Sequence, residues 1–184
     1  MPSCIESLEG RTLFSAASLS VDEATLTAAI TSLPSLASTN VSTVEGDVAG
    51  QSLTKADKAL GVKWEKGLDA KYKVLLKANT AGQKAVNKDV AKLDAATGAK
   101  ATAAATKLSK DAAKALAAIT KDTTAVHTAD TAGLTAIGNA LPNDTQLQSG
   151  IVTIESNDGA AFSSIQTDAG TVFTTDVGDI VTAG

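Results

Sequence analysis

His127 is the sole histidine of the chain, and acid–base catalysis near neutral pH recruits histidine first because its pKa lies closest to that range. It adjoins Val126, a position of an apolar helical stripe, so a packed or solvated helix histidine is the plainer expectation. Asp130, Asp158 and Asp176 fall where the same spacing otherwise places apolar residues. They can meet in a core and hold a cation, but polar layers that fix helix register are the commoner reason for acids at such positions. Cys4 is alone, which excludes an intramolecular disulfide and a cysteine metal cluster. No H-E-x-x-H pair, calcium-loop spacing, phosphate-cradling glycine loop or G-x-S-x-G elbow occurs. Catalytic, cofactor-binding and metal-ligating residues are therefore expected to be none, and the chain is not read as an enzyme.

Trp64 and Tyr72 stand among Lys63, Lys66, Lys71 and Lys73, a combination that elsewhere stacks bases and contacts phosphates. Arginine, the usual base reader, is missing from this region, and the lysines are spaced as a solvated helix face. Core packing is the better reading for Trp64, and nucleic acid is not an expected partner. Asn40-Val41-Ser42 and Asn143-Asp144-Thr145 fit the N-glycosylation pattern and are taken as incidental.

Charge is unevenly distributed. The net charge of -4 combines a lysine-rich stretch over residues 51–121 with acidic flanks on both sides. An antiparallel bundle can neutralise this by laying flank helices beside central ones. The chain has 184 residues, of which 35 are alanine and 3% aromatic, so any core is built of small side chains. No run approaches the roughly 18 consecutive apolar residues of a transmembrane helix.

The elements that would position these residues are helices. Leu26, Ile30, Leu33, Ala37, Val41, Val44 and Val48 recur at steps of three and four, an eleven-residue repeat. Ser20 with Glu23 predicts a capping box at the start of that segment, Ser42 with Glu45 offers another, and Pro34 predicts a kink or a stop. Trp64, Leu68, Lys71, Leu75, Ala78, Gly82, Val86, Val90, Leu93 and Thr97 continue the pattern, with Gly98 as a C-terminal cap. Leu108, Ala112, Ala115, Ile119, Thr123, Val126, Asp130, Leu134, Ile137 and Leu141 form a third series, which Pro142-Asn143-Asp144 stops before capping its successor. The fourth runs through Leu147, Ile151, Ile154, Asp158, Phe162, Ile165, Ala169, Val172, Asp176 and Ile180. Its threonine and valine content favours strand, yet the period is helical and decides the assignment. The fold class that follows is all-α, an elongated antiparallel three- or four-helix bundle, straight or weakly right-handed because 3.67 residues per turn is close to the helical value.

The N-terminal residues Ile5, Glu6, Leu8, Glu9, Arg11, Leu13, Phe14, Ser15 and Ala16 form a compact pattern. It resembles the short N-terminal motif of planctomycete extracellular proteins, V-E-x-L-E-x-R-x-L-L-S-A, with Phe14 in place of the second leucine. That family usually carries several arginines ahead of the motif, and here only Met1-Pro2-Ser3-Cys4 precedes it. The resemblance implies an exported or cell-surface protein of a bacterium and says nothing of the remainder. Residues 1–19 are accordingly read as an export or sorting segment, expected to be poorly ordered, and residues 20–184 as one helical bundle domain. The expected role is structural or interactive, with a protein or envelope partner and possible self-association. The alternative is an amphipathic coat on a lipid or polymer-granule surface, since residues 84–121 are similar in composition to phasins and to the eleven-residue repeats of desiccation-protection proteins.

Overall fold

Apolar residues at helical spacing form stable structure only by burying their stripe against another element, and each long helix here does so against two neighbours. The computed structural model describes the backbone of residues 4–51 and 54–183 and, within these, the side chains from residue 16 onward. The elements are α1 (Cys4–Asp47), α2 (Lys55–Asp94), α3 (Ala99–Ala140), α4 (Thr145–Gly170), a π-helical segment (Thr171–Asp176) and α5 (Val177–Ala183). The last three continue one another as a fourth rod, and no strand occurs among the described residues. Each rod of about 40 residues is roughly 60 Å long. Short turns force successive rods to run antiparallel, and α1 also packs on α4, giving the cyclic order α1–α2–α3–α4.

The core follows the eleven-residue repeat closely. Every position expected in the fourth series is buried, and in the third only Leu141 is less than fully so. In α2 the core takes Tyr72 and Asn79, whereas Lys71 and Ala78 are only half-buried. The step from Leu68 to Leu75 can be split as three plus four or four plus three, and the aromatic body of Tyr72 decides it because burying it removes more apolar area than the lysine stem.

Helix ends differ from expectation in several places. Ser20 lies inside α1, which passes without interruption through Ser42 and through Pro34. Pro34 faces solvent, where a missing amide costs least, and neither predicted capping box forms. The box that does form is Thr54–Asp57 at the start of α2: the Asp57 amide donates to Thr54 Oγ1 at 3.2 Å, and the Thr54 amide donates to Asp57 Oδ2 at 3.0 Å. Gly98 has φ +57°, the left-handed conformation that suits glycine, but it serves as the residue before α3; α2 already ends at Ala95. Asp144 caps α4 as its sequence predicts, accepting from the amides of Gln146 and Leu147 at 3.1 Å each.

Two glycines set close contacts. A Cβ at Gly82 would lie 2.7 Å from the Ala115 Cβ and 3.2 Å from Phe173, so α2 meets α3 there through glycine and alanine. Phe173 reaches this place from the π-helical segment, whose wider turn brings both Val172 and Phe173, and both Asp176 and Val177, to the core. Gly133 leaves room for the indole of Trp64.

Candidate functional site

Polar side chains in a helix interior are stable only when each finds a partner, and one level of this bundle collects such groups from all four rods. Asn40 of α1, Trp64 of α2, Asp130 of α3 and Asp158 of α4 are 5%, 5%, 1% and 3% exposed. Asn40 Nδ2 donates to both oxygens of Asp158, at 2.9 and 2.8 Å. Trp64 Nε1 donates to Asp130 Oδ1 at 3.1 Å. The two carboxyls lie close enough for each to affect the titration of the other, and a proton shared between them relieves their repulsion.

Burial is the chief cause that raises Asp130, to about 7, and the neighbouring Asp158 charge adds to it. Burial also raises Asp158, against the opposing pull of Asn40, the Asp130 hydroxyl and His127. Both carboxyls are raised, so the pair favours holding one proton as a unit, with Asn40 donating to both Asp158 oxygens. Tyr72, buried nearby, is raised well beyond the ordinary tyrosine range by burial and then by these carboxyls. A singly protonated carboxyl pair is chemically able to take up or release one proton. Both carboxyls are buried among the four helices.

Of the three seam aspartates, the structure brings together Asp130 and Asp158 and leaves Asp176 apart. Asp176 lies toward the other end, where Ser18 Oγ donates to its Oδ1 at 3.3 Å. Burial and then the adjacent Asp22 raise it to about 6. His127 is exposed, its ring centroid 5.2 Å from that of Phe162. No group of three potential metal ligands occurs among the described residues. Asn40 is consumed by Asp158, so its glycosylation pattern has no accessible amide. Trp64 and Tyr72 are both buried and offer no stacking surface. Of the sorting-motif residues, the side chains of Ile5, Glu6, Leu8, Glu9, Arg11, Leu13, Phe14 and Ser15 lie outside those described, and Ala16 is half-buried in α1.

Sequence reasoning missed Asn40, Asn79 and Asp89 as buried groups. Asn40 precedes a series member by one residue, and a three-residue step from Ala37 would have found it. Asn79 Nδ2 donates to Thr27 Oγ1 at 3.0 Å, and Gln83 Nε2 ties the Glu23 carbonyl at 2.9 Å, joining α2 to α1. Asp89 is held by Lys107 of α3 at 2.5 Å, which also pairs with Asp111 at 2.6 Å. At one end of the bundle an apolar recess of about 240 Å³ lies between Val44, Val48, Leu60, Ile137 and Leu147.

Fold and centre together define an all-α antiparallel four-helix bundle with polar layers in its core. Comparison with protein-family models, curated proteins and solved structures gives no match for this chain.

Proposed function

We propose that the chain is an exported or cell-surface helical bundle with a structural or interaction role and no catalysis. The observation that carries this reading is the disposition of the apolar stripes: among the described side chains those of the four rods are spent on one another, and the large exposed apolar ones are scattered valines, Val21, Val62, Val74 and Val152. What the rod offers outward is a long polar surface. The likeness of residues 5–16 to the planctomycete motif supplies the location.

The same disposition weighs against a coat on lipid or polymer granules, which needs an apolar face turned to the surface. No helix among the described residues is long and apolar enough to cross a membrane. Two experiments test the reading. A reporter fused behind residues 1–19 is expected to leave the cytoplasm of a planctomycete, and retention inside would refute export. The full chain is expected to stay at the bottom of a flotation gradient with phosphatidylcholine–phosphatidylglycerol vesicles or polyester granules. Co-flotation would favour the coat instead.

A further inference from the structure

The cyclic order of the helices places α2 beside α3 and α1 beside α4, so the charge asymmetry of the sequence becomes a difference between two sides of the rod. α2 and α3 carry fifteen lysines against eight acids. From residue 16 onward α1, with α4, the π-helical segment and α5, carries nine acids, of which Asp158 and Asp176 are buried, and neither lysine nor arginine. Although α1 also borders α2 and α4 borders α3, no ion pair among the described residues joins a carboxylate of the flank helices to a lysine of α2 or α3. Of the fifteen lysines, all but Lys71 are exposed, and only Lys73, Lys92, Lys107 and Lys114 pair with a described carboxylate.

These charges follow the same period as the core. Lys55, Lys66, Lys77 and Lys88 are each eleven residues apart, as are Lys73 and Lys84 on α2 and Lys110 and Lys121 on α3. Since the buried stripe repeats every eleven residues as well, each set shares one outward direction and recurs about every 16.5 Å along the rod. On the other side Asp168 and Asp179 are eleven apart; Glu23 and Glu45, twenty-two apart, lie along the border of α1 with α2, where Asn87 donates to Glu23 and Glu45 shares a recess with Asp57 and Lys58. The two sides differ in the sign of their charge, and Asp168 and Asp179 repeat at the interval of the lysines.

The acidic side is also easily covered. Its outward hydroxyls, among them Thr31, Thr39, Thr43, Thr153, Thr167 and Thr182, each donate to the carbonyl four residues earlier, at 2.8 to 3.1 Å. Another chain laid on them displaces water without leaving a donor unpaired, which lowers the desolvation penalty of association.

We propose that copies of this chain associate side by side, the α2/α3 lysine face of one against the α1/α4 acidic face of the next. The contact is heterologous, so it continues from copy to copy as an open array. A second copy has the matching charge interval by construction, whereas a polyanion such as DNA presents one charge per roughly 1.7 Å and would leave the acidic face unused. The inference rests on the structural or interaction role proposed above and names its partner.

Sedimentation velocity of the purified full chain at pH 7 tests it. At about 0.01 M salt, where screening reaches roughly 30 Å, the mean mass is expected to rise about twofold or more with concentration. At about 1 M, where it reaches roughly 3 Å, the mass should return to 18.4 kDa. Lys66→Glu/Lys77→Glu/Lys88→Glu and Glu45→Lys/Asp168→Lys/Asp179→Lys change surface charge only, and circular dichroism verifies that both fold. Each alone is expected to remain monomeric at low salt, and an equal mixture of the two to associate, because each variant retains the face the other lacks. A wild-type chain at 18.4 kDa throughout overturns the proposal. So does a lysine-reversed variant that assembles as the wild type does, and so does a monomeric wild type that binds polyphosphate with steep salt dependence. None of these results touches the export and flotation outcomes, which read location and lipid affinity separately.

Discussion

Replacing Asp130 by asparagine isolates the proton held in the centre of the bundle. In the folded chain Asp130 is raised to about 7, against roughly 3.9 for an unstructured aspartate. Between those values the folded state binds a proton that the unfolded state has released. Stability is therefore fully present below about pH 4 and falls as pH rises through about 7. Each pKa unit is worth about 1.4 kcal/mol, so the full interval corresponds to at most about 4 kcal/mol. Asparagine keeps the shape of the protonated acid: its carbonyl accepts from Trp64 Nε1 and its amide donates to Asp158, with no proton to lose. The groups facing this pair are Asn40, Trp64, Tyr72, Glu155 and His127. All are retained in the variant, so the difference between the two proteins reports the linked titration of Asp130 and Asp158. Urea denaturation followed by the fluorescence of buried Trp64 measures it across about pH 4 to 8. Asp130→Asn is expected to match the wild type near pH 4 and to exceed it near pH 8 by an amount up to about 4 kcal/mol. A wild-type-minus-variant difference that stays constant across this range would refute a shared proton.

Further substitutions probe the packing around that centre. Asn40→Ala removes both donors to Asp158 and leaves a buried carboxylate without them; a loss of about 2 to 3 kcal/mol is expected at pH 7, shrinking at acid pH, as urea midpoints would show. Gly82→Ala and Gly133→Ala run into Ala115 and Trp64, and thermal unfolding is expected to show losses of about 1 to 3 kcal/mol despite better helix propensity. Gly67→Ala, with open space around it, should instead gain about 0.5 to 1 kcal/mol, and a shared sign for all three would contradict the close contacts. Asp111, paired with Lys107 and Lys114, is lowered to about 2; its carboxyl signal by NMR should titrate near there, so the pairs persist above about pH 4 and are lost as pH falls toward 2.

How much of this was legible in the sequence follows from which quantities are periodic. The apolar stripe repeats along one chain, so Leu147 through Ile180 could be placed residue by residue although threonine and valine favour strand. The break at Pro142 and the cap at Asp144 were equally readable, because both act within a few residues. Ser20 and Ser42 misled for the complementary reason: a capping box forms only where the chain actually leaves the helix, and buried Leu19, Leu26 and Val41 keep α1 helical through both sites. Asp130 and Asp158 could be placed at the seam, but not beside each other and apart from Asp176, since that depends on the axial register of α3 against α4. Register here is fixed by contacts with no local signature, such as Trp64 entering the space at Gly133 and Phe173 reaching Gly82 through a π-helical turn. The same holds for charge. Local composition gave a basic middle and acidic flanks, and internal neutralisation was the natural expectation. The cyclic order of the helices does lay acidic α1 against basic α2 and acidic α4 against basic α3, yet every ion pair among the described residues lies within α2 and α3, so adjacency of the rods alone does not pair flank carboxylates with central lysines.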